Sequence, residues 1–257
     1  MIKIIYTHFI LLLGTVVLNI NASAQSSGST FRIKTDSLNL FDKARNRSVP
    51  VMLYLPVADK KIRKQKLVIF SHGYYQNMPF GNKQYSFLTE NLAANGFFVA
   101  SIQHELPTDD LIPIAGIPQV VRRPFWDRGT DNILFVINEL KKTNPDVEFR
   151  NITLIGHSNG GDMTALFPQK YPGIVNTIIT LDNRRMALPM IKGLKVYSLR
   201  SSDQPADEGV LPGAVEQHKF GITIIKLPNT IHNDMDNRGT KEQQKEINDY
   251  ILSFLKQ

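Results

Sequence analysis

The sequence predicts an α/β domain, a three-layer α/β/α sandwich built on a mostly parallel central sheet. Three observations predict it. Short, nearly continuous apolar runs such as Leu67-Val68-Ile69-Phe70 recur along the chain, as strands covered on both faces require. Longer segments with apolar residues at helical spacing lie between them, and this alternation implies parallel pairing through helical crossovers. The length of 257 residues, with 42% apolar and 21% charged, suits one such domain with a core of ordinary size.

From the N-terminus, residues 1–24 read as a signal peptide: Lys3 supplies the charge, residues 9–18 (FILLLGTVVL) the apolar stretch, and Ala22-Ser23-Ala24 the small-x-small cleavage pattern. The stretch is too short to span a bilayer comfortably. The expectation is therefore a secreted or periplasmic protein with no stable membrane span after cleavage. Residues 25–30 (QSSGST) are a flexible lead-in, and 31–257 form the single domain. The segment Val49–Leu55 is an early strand, placed near a sheet edge by Pro50. Strands are expected over 67–71, 97–102, 151–155, 177–181, 196–199 and 222–227. Helices are expected over Gln84–Asn95, ending at Gly96, over Asp127–Lys142, and over 159–170. A last helix begins near Thr240, with Gln243 placed for a capping box.

Composition excludes several chemistries. The chain has no cysteine, so disulfides, thiolate metal sites, a Cys nucleophile and a lipid-modified N-terminal Cys are all out. The formal charge is +7, but the basic residues are scattered. The densest run, Lys60 to Lys66, reads as a solvated loop rather than an electrostatic docking patch, and no nucleic-acid partner is expected.

Sheets of this kind bind ligands beyond the carboxyl ends of their strands, so reactive residues should fall just after strands. Gly156-His157-Ser158-Asn159-Gly160-Gly161 does so, following the strand at 151–155 and opening a helix. The pattern G-x-S-x-G describes a turn so tight that side chains at its two glycine positions, Gly156 and Gly160, would collide. It sets Ser158 in a strained backbone at a helix N-terminus, where N–H groups favour developing negative charge. The pentapeptide alone is weak; the strand before it and the helix after it make it specific.

With Phe70-Ser71-His72-Gly73 after an early strand and His232 after the last one, these residues resemble the α/β-hydrolase superfamily. Within it the chain is similar to the dienelactone hydrolase and platelet-activating-factor acetylhydrolase-like branch. The resemblance spans about 40–255 and implies a serine hydrolase of the α/β-hydrolase fold without a large lid domain. It implies an oxyanion hole made by the N–H groups of Asn159 and Tyr74, with Tyr75 the weaker choice. The order serine, acid, histidine leaves His218 and His232 as the base, and His232, in a loop after a strand, is preferred. His157, preceding the serine, should turn its side chain away from the cleft. The acid is expected at Asp203, a few residues past the penultimate strand, with Asp207 in the same loop and Asp182 as alternatives. Asp234 and Asp236 lie too near His232 in the chain to be favoured.

The implied reaction is hydrolysis of a carboxylic ester, small and short-chain, through an acyl-enzyme on Ser158 with no metal or organic cofactor. Acyl transfer, amide hydrolysis and lactone or C–C cleavage use the same triad and remain alternatives, as does a catalytically silent binding protein. The apolar segment from His104 to Trp126 either caps the cleft or packs as a surface excursion. The pairs Arg122-Arg123 and Arg184-Arg185 are read as solvated surface before an anion site.

Overall fold

A computed structural model describes residues 31–60 and 62–256. The proposed signal peptide and lead-in lie outside them. Among the described residues eight strands form one sheet: β1 (Arg32–Asp42), β2 (Arg47–Val57), β3 (Gln65–Ser71), β4 (Phe98–Ile102), β5 (Val147–His157), β6 (Thr177–Leu181), β7 (Lys195–Arg200) and β8 (Ile222–Lys226). Their order is β1-β2-β4-β3-β5-β6-β7-β8. β1 pairs antiparallel with β2, and β2 antiparallel with β4. Every pair from β4 to β8 is parallel.

The helices are α1 (Ser86–Ala94), α2 (Pro118–Val121), α3 (Arg123–Thr143), α4 (Asn159–Lys170), α5 (Ala214–Phe220) and α6 (Lys241–Lys256). The sheet separates two cores. Leu67 and Ile69 of β3 face a cluster with Trp126, Ile133 and Leu140 of α3 and Leu166 and Phe167 of α4. Val68 and Phe70 face the other way, onto Leu88 and Leu92 of α1 and Ile247 and Ile251 of α6. Successive side chains of a strand point to opposite faces. The central strands are therefore largely apolar on both faces, because helices cover both sides. At Thr240 the expected capping box forms: its N–H donates to Gln243 Oε1 (2.7 Å) and its Oγ1 accepts from Gln243 N–H (3.3 Å).

β2 lies near the sheet edge as expected, second in the order, with β1 outside it. β1 is exposed over most of its length and only Leu38 and Leu40 pack on the core, so its sequence carries almost no apolar period. Pro50 is tolerated because it pairs with Asn39 of β1 just beyond the ladder with β4, which starts at Val51. α3 starts at Arg123 rather than Asp127, with Pro124 in its first turn, where a missing N–H loses no hydrogen bond. The short connection 182–194 between β6 and β7 leaves no room for a lid domain. Among the described residues no helix is long and apolar enough to cross a membrane.

Candidate active site

Parallel register brings four strand ends together. Ser71 of β3 is level with Gly156 of β5, His157 of β5 with Leu181 of β6, and Leu181 with Leu199 of β7. The loops leaving these strands therefore meet at one edge of the sheet.

Ser158 sits between β5 and α4 with φ 53° and ψ −118°, a conformation held by its surroundings rather than by its own preference. Its N–H donates to Leu181 O (2.9 Å). A Cβ at Gly156 would run into the Gly160 carbonyl and Thr164 Oγ1, and one at Gly160 into the Ser71 and His72 carbonyls. Both elbow glycines are thus required sterically, as expected.

His232 opens a one-turn 3-10 helix, His232–Asp234, after β8. Its Nε2 lies 2.9 Å from Ser158 Oγ, and its Nδ1 lies 2.5 Å from Asp182 Oδ2. Asp182 follows β6 directly, is fully buried, and has φ 54°. Its Oδ1 accepts from Ser201 N–H (3.0 Å) and its Oδ2 from Ser201 Oγ (2.7 Å); Arg200 Nη2 stands 3.0 Å from Oδ1. Burial works against its charge. The hydrogen bond from His232, the Arg200 guanidinium and the Ser201 donors outweigh it, holding the carboxyl below its ordinary value.

The preferred acid is therefore corrected: the structure brings Asp182, not Asp203, to the imidazole. Asp203 is exposed, and its Oδ1 accepts the backbone N–H of His232 (2.7 Å). It fastens the histidine loop and leaves the ring alone. Asp207 is farther off, with its Oδ2 on Gln119 Nε2 (3.1 Å). Asp236, disfavoured by its nearness to His232 in sequence, is buried beside the cleft between Tyr75 Oη (2.7 Å) and Arg238 Nη2 (2.7 Å).

Tyr74 lines the cleft with Gly73 and Tyr75. The Gly73 N–H is taken by Tyr85 Oη (3.0 Å), whereas Tyr74 N–H has no bonded acceptor among the described residues. Asn159, the first residue of α4, has a backbone N–H with no intrahelical acceptor. The two N–H groups expected at an oxyanion thus border Ser158 unspent.

The expectation that His157 turns away from the cleft is also corrected. It lines the cleft, and its ring packs 4.7 Å from that of His232. Strand alternation puts it on the Ile155 side, the side of α1 and α6. Tyr85 Oη, which accepts from Gly73, donates to His157 Nδ1 (2.7 Å). Burial, and then the neighbouring His232, push His157 down to about 3, so it stays neutral next to the second imidazole.

The cleft holds about 280 Å³. Among the described residues none from 104–126 lines it. That segment packs at its flank, where Ile112 N–H donates to Tyr74 Oη (3.1 Å) and Asn77 Nδ2 donates to Asp109 O (2.7 Å). Of the arginine pairs, Arg123 pairs with Asp127 (3.0 Å), Arg122 Nε donates to Pro113 O (3.1 Å), and Arg184 Nη1 donates to Gln204.

No family model matches the chain, and no curated protein is similar to it in sequence. Solved structures are similar in shape. A putative dienelactone hydrolase from Klebsiella pneumoniae superposes with a TM-score of 0.63 at 13% identity, over 88% of this chain and 99% of that one. An esterase from Pyrobaculum calidifontis gives 0.62 at 11%, over 86% and 84%. A serine hydrolase without a lid from Xanthomonas campestris gives 0.59 at 14%, over 88% and 96%. At such identities the likeness is one of architecture. With its mixed eight-stranded sheet and flanking helices, the chain has the α/β-hydrolase fold.

Proposed function

We propose that the protein is a serine hydrolase of small carboxylic esters, with Ser158 as nucleophile, His232 as general base and acid, and Asp182 as the group that orients His232. One observation carries the reading: the unbroken chain Ser158 Oγ, His232 Nε2, His232 Nδ1, Asp182 Oδ2, with links of 2.9 and 2.5 Å, on a serine whose backbone is strained. A serine hydroxyl is a poor nucleophile unless a base takes its proton as it attacks.

In the first step Ser158 Oγ bonds to the ester carbonyl carbon while its proton passes to His232 Nε2. The carbonyl π electrons move onto oxygen, which the N–H groups of Asn159 and Tyr74 receive. Asp182 holds the Nδ1–H tautomer and stabilises the imidazolium. The intermediate collapses, the alkoxide leaves, and His232 gives it the proton. Water then repeats the sequence on the acyl-enzyme, releasing the acid and restoring Ser158. The small volume of the cleft, and a connection between β6 and β7 too short for a lid, favour short acyl groups. Export through the segment 1–24 belongs to the same reading; intact-mass analysis of the mature protein tests it, with cleavage after Ala24 as the expected result.

A chain-length series of nitrophenyl esters on wild type and Ser158→Ala tests the activity. Turnover that is highest for acetate and butyrate and absent in the variant is expected. Near-wild-type rates in Ser158→Ala would overturn the assignment.

A further inference from the structure

Glu105 lies just past β4 and is 1% exposed. Its Oε1 accepts from Asn159 Nδ2 (2.9 Å), and Asn159 Oδ1 accepts from Trp126 Nε1 (2.8 Å). Trp126 is fully buried in α3. The first side chain of α4 is thus clamped from two elements, in the one orientation of its amide that matches donor to acceptor. Reversing the amide would set oxygen against carboxylate and NH₂ against indole N–H.

Glu105 also reaches the other side of the cleft floor. Its Oε2 stands 3.7 Å from His72 Nε2 and has no hydrogen-bond partner among the described residues. His72 offers it no proton: Nε2 accepts from His104 N–H (3.1 Å), which leaves the Nδ1–H for Gly73 O (2.6 Å). His72 thus ties down the Gly73 carbonyl, next to Tyr74, while Tyr85 takes the Gly73 N–H. Glu105 sits between the two segments that carry the N–H groups assigned to the oxyanion. Burial pushes its carboxyl up to about 7, against the pull of Arg128 from α3 and Arg47 from β2. An apolar side chain would fill the same space without an unbonded oxygen, so packing alone gives no reason for a carboxyl here.

We propose that Glu105 is a positioning residue: acting through the Asn159 side chain, it holds the Asn159 backbone N–H where the oxyanion of the ester reaction forms. The proposal rests on the serine-hydrolase reading. Ser158 keeps its strained backbone only if its neighbours over-determine it, and Asn159 is the neighbour that carries the donor. The clamp acts on a group whose interaction strengthens in the transition state, so its loss lowers kcat rather than raising KM.

The test uses Glu105→Leu, Glu105→Gln, Asn159→Ala and the Leu/Ala double variant of the full chain. Each is assayed with nitrophenyl acetate and with an aryl trifluoromethyl ketone as transition-state analogue. Glu105→Leu is expected to lower kcat about tenfold or more, a fraction of what losing an oxyanion donor costs, with KM nearly unchanged and ketone affinity reduced by a similar factor. Glu105→Gln, which keeps an acceptor for Asn159 Nδ2, restores most of the rate. Asn159→Ala reproduces the loss, and the double variant is no worse than either single one. The proposal is overturned by a Leu variant with wild-type kcat, by an effect on KM alone, by a Gln variant as impaired as Leu, or by additive losses. If Glu105→Leu shows no cooperative melt, Asn159→Ala decides, and wild-type kcat there overturns the proposal. Wild type without turnover would remove the hydrolase reading itself; an active wild type with unaffected variants removes only the role of Glu105.

Discussion

The loops after β6 and β7 each bring an aspartate to His232, and they use it in opposite ways. Asp182 follows its strand at once, is fully buried, and bonds the ring through Oδ2. Asp203 comes three residues after Arg200, is exposed, and bonds the backbone N–H of the same histidine. An aspartate has a short side chain. Directly at a strand end it is held by the sheet and reaches a fixed point; a few residues further it serves the loop it belongs to. Asp182 is also the one with a cation against it. Arg200 is 6% exposed and donates its Nη1 to Asn183 O (2.6 Å) while Nη2 faces Asp182. The contrast is between a carboxylate on the imidazole ring, the acid of the proposed triad, and one on the backbone of the same histidine.

The largest expected effect breaks that contrast at the ring. Asp182→Asn keeps the shape but offers an amide to Nδ1, which favours the wrong tautomer, and kcat should fall by about 10⁴-fold. Steady-state kinetics on a short nitrophenyl ester reads this directly, and a loss below tenfold would dissolve the distinction between the two aspartates.

Next in size is the buried ion pair. Arg200→Met should lower stability by about 3 kcal/mol, because it strands the Asp182 charge without its cation. Urea unfolding measures it, and an unchanged midpoint would mean that His232 and Ser201 suffice.

Acid pH sharpens the same point. The Asp182 carboxyl is held below 3.8 in the folded chain, so it binds fewer protons folded than unfolded near that pH. The stability it contributes is therefore full above about 4 and lost as pH falls through the lower folded value. The melting temperature of wild type should exceed that of Asp182→Asn at pH 7, and the gap should narrow below pH 4. A gap that widens in acid would contradict the assignment of a charged Asp182.

The smallest effect belongs to the other loop. Asp203→Asn still offers an oxygen to His232 N–H, so kcat should change by less than about threefold. A loss comparable to that of Asp182→Asn would return Asp203 to the triad.

Much of the fold and of the site is legible in the sequence. The elbow announces itself because its glycines are steric requirements: a Cβ at either one meets backbone. Helix 159–170 and strand 177–181 have the bounds their apolar periods suggest. The capping box at Thr240 needs only local chemistry. The acid is harder, since several aspartates follow strands and chain spacing does not say which short side chain meets a histidine 50 residues on. Counting from the strand end favours Asp182, the first residue past β6, over Asp203. His157 is easily misread, because a neighbour of the nucleophile is expected to face away from it, whereas strand alternation sends it to the cleft side. β1 escapes notice because an exposed strand has little apolar period to show. Glu105 carries no signal, since one glutamate after a strand looks like any loop carboxylate until Asn159 and Trp126 are seen around it.

The most direct test of the central claim is to react the folded protein with a fluorophosphonate and locate the adduct by peptide mass spectrometry. One phosphonylated residue is expected, Ser158, with labelling lost in His232→Ala and strongly slowed in Asp182→Asn. A folded wild type that takes no label, or takes it on another residue, would contradict that claim.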